Sequence, residues 1–234
     1  MAHALRLHGY PVSNYFNIAR AALIEKGLAH DIVIARAAQD DAFLAMNPMG
    51  KIPVLESPDG WIAETVAILE YLDDRYPEIP LRPVDLHDRA TARQIVNIVQ
   101  VYVEAPARSL FPGVFGGGTN NAQTIAAART TLDRSSAALA RLLRPSPFLF
   151  GAAPSQADLF AFHNLDIADR VTRFVYDRSI IEEIGGLSDW HAMMAARTSG
   201  HVVLTDFERY FAAYLIDHDA AYRANAQQGP AANA

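Results

Sequence analysis

Strand-like and helix-like segments alternate along the first 80 residues, and beyond the prolines at 77, 80 and 83 only helical patterns remain. One layer of one element type cannot satisfy that change of texture. It predicts an α/β unit followed by an all-α unit, with the boundary near residue 82. In the first unit, Ala4–His8 reads as a short strand closed by the turn residues Gly9 and Pro11. Tyr15–Lys26 reads as a helix with Phe16, Ala19 and Leu23 on one face and Gly27 as its stop. Asp31–Ala35 is β-branched and apolar, which predicts a buried strand, and Asp40–Met46 predicts a short helix. Ile52–Glu56 and Trp61–Ala63 flank Ser57-Pro58-Asp59-Gly60, a hairpin signal. Glu64–Tyr76 returns to helix, with Thr65, Ile68, Leu69 and Leu72 aligned. The order β-α-β-α-β-β-α gives parallel strands across the helical crossovers and an antiparallel pair at the hairpin.

These patterns divide the chain into residues 1–80, a linker at 81–87, an all-helical domain at 88–218 and a small, polar tail at 219–234 that is expected to be disordered. Helices are predicted over Leu86–Leu110, Asn121–Leu143, Ser155–Arg170, Arg178–Ile184, Ser188–Arg197 and His201–Tyr214. Gly116–Gly118 reads as a flexible inter-helix turn, because the Lys and Ser/Thr of a phosphate loop do not follow it.

Several chemistries are excluded by composition. With no cysteine, the chain has no disulfide, thiolate metal site or cysteine nucleophile. A net charge of -6 and the lack of a basic run argue against nucleic-acid binding. No stretch approaches the roughly 18 apolar residues of a membrane span. The opening MAHALRLHGYPVS has no signal-peptide pattern, so a cytoplasmic protein is expected. The eight histidines show no ligand spacing, so no metal is expected. No Gly-x-Ser-x-Gly elbow is present to anchor a hydrolase triad.

Four segments, in order, carry a resemblance. They are LHGYPVSNYFNIARAAL (7–23), NPMGKIPVL (47–55), ETVAILEYL (64–72) and PSQADLFAF (154–162). Together they resemble the glutathione transferase superfamily, in its cytosolic, bacterial-like, serine-type members, over nearly all of residues 4–214. The resemblance implies a thioredoxin-like N-terminal domain and a C-terminal helical bundle. It implies glutathione as co-substrate, a small hydrophobic electrophile as its partner, and a homodimer.

It also implies roles for residues. Ser13 falls where the serine-type members keep their catalytic hydroxyl, at a helix start whose free N–H groups favour an anion. A thiol of pKa about 8.5 is only a few per cent ionised at neutral pH, and lowering it by about two units takes roughly 2.7 kcal/mol of thiolate stabilisation. Tyr10 and Tyr15 are competing hydroxyls, Tyr10 being the better placed. Read without the resemblance, Ser13 is simply an N-cap. Lys51 would meet the glycyl carboxylate of glutathione. The Ile52 backbone, presented by Pro53 at the cis-proline position, would pair with its cysteinyl backbone. Glu64 and Thr65 would hold the γ-glutamyl ammonium and carboxylate. Tyr102 and Phe111 are candidates for the co-substrate pocket, although aromatics at such spacings also build cores. Ser155 and Asp158 have capping-box spacing and read as structural. Asn17 departs from the basic residue that many relatives carry nearby. A non-catalytic binding or protein-interaction module, or a glutathione-dependent isomerase or dehalogenase, stays open beside the transferase.

Overall fold

The computed structural model describes residues 5–223. Its first part runs β1 (Leu5–Gly9), α1 (Asn14–Glu25), β2 (His30–Ile34), α2 (Asp41–Met46), β3 (Val54–Ser57), β4 (Gly60–Ala63) and α3 (Thr65–Arg75). The sheet order is β2-β1-β3-β4, with β1 parallel to β2 and antiparallel to β3, and β3–β4 forming the hairpin. Leu5 and Leu7 of β1, Leu55 of β3, Phe16, Ile18 and Leu23 of α1, and Ile68, Leu69 and Leu72 of α3 close into one apolar core. The strand and helix periods put the β1 and α3 sets on one side of their elements, whereas α1 is buried on opposite faces because it lies between α3 on one side and α8 and α10 on the other. β2 differs from the expected buried strand. It is the sheet edge, so Asp31 and Ile34 are exposed and its apolar residues are only half covered.

The second part is helical: α4 (Leu86–Ile98), a π-helical stretch (Val99–Glu104), α5 (Ala105–Arg108), α6 (Phe111–Val114), α7 (Ala122–Leu142), α8 (Gln156–Tyr176), α9 (Leu187–Ala196) and α10 (Thr198–Asp217). The first of these begins inside the expected linker, where Asp85 caps it by accepting from His87 and Asp88 N–H. The π-helical stretch interrupts the long helix predicted over Leu86–Leu110, and Pro106 explains its position. Proline lacks the N–H that the Tyr102 carbonyl requires one turn earlier. Ser135 Oγ donates to that carbonyl instead, at 2.8 Å, while Ala105 N–H bonds back to Gln100 C=O. Residues 178–184, predicted as helix, form turns, organised by Asp169 accepting from Ser179 Oγ and Ile181 N–H.

α8 is buried around most of its circumference and lies at the centre of this part, against α1, α4 and the π-helical stretch. The Gly116–Gly118 turn is docked rather than loose. Gly117 takes φ +68°, and a Cβ there would sit 2.1 Å from the His218 carbonyl oxygen. The expected disordered tail is also corrected where it can be followed. Tyr222 is buried against Phe115, Phe174 and Phe211, and its N–H donates to the Val114 carbonyl. The rest of that tail, 224–234, lies outside the described residues. Among the described residues no helix is long and apolar enough to cross a membrane.

The two parts are tied through α1. Arg20 pairs with Asp206, and Arg197 forks onto Glu25 at 2.9 and 2.7 Å. His163 on α8 is buried and its Nε2 has no partner among the described residues. Burial pushes its pKa down to about 4, against the pull of Asp166 and with the push of His191. A histidine kept neutral in the fold gives stability that is fully present above the unfolded pKa near 6.5 and is lost as the pH falls from there to about 4. We expect about 3 kcal/mol of stability to disappear across that window. His163→Leu should flatten it in urea titrations at stepped pH, and an unchanged slope would rule this origin out.

Candidate active site

One cleft lies where the two parts meet. It encloses about 290 Å³ and is lined by Tyr15, Asn47, Lys51, Ile52, Pro53, Glu64, Thr65 and Val66 from the first part and Gln100, Glu104 and Arg108 from the second. Six residues singled out from sequence therefore converge here: Tyr15, Lys51, Ile52, Pro53, Glu64 and Thr65.

The Asn47–Pro53 loop is held from within. Asn47 Nδ2 donates to the Lys51 carbonyl at 2.7 Å, and Gly50 N–H to the Asn47 carbonyl at 2.8 Å. Gly50 takes φ +63°, and a Cβ there would meet the Ala38 carbonyl oxygen at 2.3 Å, so the turn admits only glycine. The Ile52–Pro53 peptide bond is cis. Among the described residues, Ile52 N–H and C=O form no hydrogen bond, which leaves a short free edge beside β3. Across the cleft, α3 starts at Thr65, which is buried, after Glu64 at φ 65°, ψ 117°. A non-glycine residue there costs of order 1–3 kcal/mol and persists only where its surroundings impose it. An exposed acid thus sits immediately before a helix N-terminus whose N–H groups lack helical partners.

The three candidate hydroxyls differ in their surroundings. Tyr15 lines the cleft, but its hydroxyl donates to Glu104 Oε2 at 3.1 Å. Burial, then the negative Glu104, push its pKa well above the usual tyrosine range. Tyr10 is half-buried, with Arg36 stacked over its ring at 4.0 Å and the Tyr210 ring edge-on at 5.4 Å. Neither Tyr10 nor Ser13 is part of the cleft lining. Ser13 is the N-cap of α1, and its Oγ accepts Phe16 N–H at a long 3.3 Å. Since that bond uses only a lone pair, its O–H remains available to donate.

The co-substrate candidates do not enter this cleft. Tyr102 is 53% exposed, because the helix turns it away from α8 together with Val101. Phe111 packs edge-on against Phe115, with Arg108 over its ring at 5.0 Å. Sequence reasoning missed Gln100, Glu104 and Arg108. They recur every four residues in an otherwise apolar stretch, which was the available signal. A larger groove of about 1040 Å³ lies along α8 and α9. There Arg170, Arg173 and Arg178 are each already bonded to carboxylates, so its charges are neutralised internally.

A thioredoxin-like domain joined to a helical bundle, with a polar cleft at their junction, defines a class of two-domain proteins. Residues 7–80 match the family model described as the glutathione S-transferase N-terminal domain, and residues 122–192 match the glutathione S-transferase C-terminal domain. A glutathione S-transferase of Pseudomonas putida strain F1 is 34% identical over 73% of this chain and 78% of its own length. Two solved glutathione S-transferase structures superpose well. That from Rhodospirillum rubrum F11 is 28% identical, with TM-score 0.72, covering 86% of this chain and 92% of its own. That from Methylobacterium radiotolerans, in complex with glutathione sulfonate, is 25% identical, with TM-score 0.70, covering 86% and 94%. The chain belongs to the glutathione S-transferase family.

Proposed function

We propose that the cleft binds reduced glutathione and that Ser13 holds its sulfur as the thiolate, which attacks an electrophilic carbon of a small apolar compound. The observation that carries this reading is the convergence, in one cleft, of a cation, a free strand edge and a helix start preceded by an acid. Lys51 suits the glycyl carboxylate. The open Ile52 edge suits the cysteinyl backbone, as one added β-bridge. Glu64 suits the γ-glutamyl ammonium, and Thr65 at the start of α3 suits its carboxylate. These groups bind and orient the tripeptide. Ser13, with the positive end of α1, stabilises the charge left when the thiol proton departs to solvent. The C–S bond then forms as the electrophile's leaving group departs with its electron pair. Tyr15 is committed to Glu104, and Tyr10 lies between Arg36 and Tyr210, which favours Ser13 as the hydroxyl that meets sulfur. A cytoplasmic setting, where glutathione is kept reduced, suits this chemistry.

Ser13→Ala tests the role. We expect kcat near pH 6.5 to fall about a hundredfold, with the glutathione affinity changed less than about threefold. Ultraviolet titration should show the bound thiol returning to its free pKa. Wild-type turnover in the alanine variant would remove Ser13 from the mechanism. No binding at millimolar glutathione would sink the transferase reading itself.

The same reading includes a homodimer. Val101 and Tyr102 on the π-helical stretch, with Met49 and Trp61 on the first domain, expose large apolar side chains from both parts of the chain. A second copy presenting the same patches would cover them about a two-fold axis. Sedimentation should report a dimer at micromolar concentration that Tyr102→Glu weakens. A wild-type monomer would refute the assembly.

A further inference from the structure

The cleft is backed by a chain of polar contacts that crosses from one domain to the other and back. Asn14, the first residue of α1 and the neighbour of Ser13, is buried with both ends of its amide engaged. Its Nδ2 donates to Asn164 Oδ1 on α8 at 2.6 Å, and its Oδ1 accepts from Arg108 Nη2 at 2.9 Å. Arg108 in turn donates through Nε to Glu104 Oε1 at 2.7 Å, and Glu104 accepts the Tyr15 hydroxyl. Two fixed points of the helical domain thus grip one planar side chain at the start of α1.

We propose that Arg108 is a positioning residue for the Ser13 hydroxyl, acting through Asn14 to hold the first turn of α1 in one orientation. The inference rests on the reading that the cleft binds glutathione and that Ser13 acts on its sulfur. Three features distinguish it from plain packing. Arg108 has 47% of its side chain exposed, so it adds little to the core. The Ser13 backbone is held by ordinary bonds, from Asn17 N–H at 3.0 Å and to the Tyr10 carbonyl at 2.9 Å, but the one bond its Oγ makes is a long 3.3 Å and fixes the hydroxyl only weakly. Asn14, by contrast, makes short bonds to two separate elements, which leaves its amide no rotational freedom. The guanidinium is suited to this task because its planar fork serves Glu104 and Asn14 together. A lysine would neutralise Glu104 but present no second donor in a fixed plane.

The test uses the full-length protein with glutathione as the probe. The bound thiol is titrated by ultraviolet absorbance in wild type, Arg108→Lys, Arg108→Met and Ser13→Ala, and in Ser13→Ala combined with each Arg108 change. Thermal melting is recorded in parallel. Both Arg108 variants should raise the bound-thiol pKa by about one unit, from about 6.5 to about 7.5, so that about threefold less thiolate is present at neutral pH, while affinity changes less than about threefold. In the Ser13→Ala background the Arg108 changes should add nothing, because the group being positioned is gone. Should Arg108→Met fail to fold, Arg108→Lys and its Ser13→Ala partner carry the comparison alone. Variants that melt lower but keep the wild-type titration would reduce Arg108 to a structural role and overturn the inference. Full rescue by lysine would show that only the charge beside Glu104 matters, and an additive effect without Ser13 would show direct action on sulfur. Either result overturns positioning. A wild-type protein that binds glutathione without lowering its thiol pKa would overturn the thiolate reading first and this inference with it.

Discussion

Asp158→Ala is expected to cost about 4 kcal/mol of stability, among the largest effects of any single substitution in this chain. The carboxylate is fully buried and accepts from Ser155 N–H at 2.8 Å, Ser155 Oγ at 2.8 Å, Leu149 N–H at 3.0 Å and Trp190 Nε1 at 3.1 Å. Burial pushes its pKa up, although these donors pull it down. Alanine leaves three N–H groups without an acceptor and out of reach of water, at about 1–3 kcal/mol each before relaxation. It also removes the tie between the start of α8 and the indole on α9. Asp158→Asn keeps one acceptor oxygen and turns the other position into a donor that Ser155 Oγ can accept, so about half the loss is expected. Ser155→Ala removes only one hydroxyl partner and should cost about 1 kcal/mol. Chemical denaturation of the three variants gives the order directly. An Asp158→Ala protein within about 1 kcal/mol of wild type would mean that the site is wet and the carboxylate dispensable.

Lys26→Met should destabilise by about 3 kcal/mol, for a different reason. Lys26 Nζ lies 2.7 Å from Asp73 Oδ1 and 2.6 Å from the Ile79 carbonyl, and both charged side chains are 1% exposed. Methionine fills similar space, so the cost is mainly the unpaired carboxylate left behind, and Arg82 at 3.3 Å compensates only part of it. The double variant Lys26→Met with Asp73→Asn should regain about half of the loss. Asparagine carries no charge, yet its oxygen still accepts the Leu81 N–H that both Asp73 oxygens hold. If the double variant is less stable than Lys26→Met, the residual anion is not the source of the loss. The same cluster shows why the proline-rich link is ordered. Its Ile79 carbonyl and Leu81 N–H are bonded into the first domain.

The legibility of this molecule varied with the range of the interactions involved. α1, the β3–β4 hairpin and α3 were readable because their signals are local: apolar residues at one period, a turn sequence between two strands, a helix start after the hairpin. The chain also placed Lys51, Pro53, Glu64 and Thr65 through short ordered motifs, and these do share one cleft. β2 was misjudged because Asp31–Ala35 looks the same whether one face or two are covered. Only the strand order shows it to be an edge. Residues 178–184 have helical composition, yet Asp169, ten positions before Ser179 and twelve before Ile181, captures their hydroxyl and N–H groups. Tyr102 reads as a pocket candidate from residue type alone, because an aromatic in a helix does not reveal which way it faces; in the structure it is exposed and outside the cleft lining.

By itself, then, the sequence determined what nearest neighbours and short periods can determine. These are two domains of different texture, the helix starts at Ser13, Glu64 and Ser155, and the exclusion of all cysteine chemistry. Tertiary structure alone decided which distant polar groups face one another. Asn14 meets Asn164 across 150 positions and Arg108 across 94, and Tyr15 meets Glu104 across 89. Such pairings leave no periodic trace, because a buried donor needs only one acceptor at the right distance, and any element that packs there can supply it.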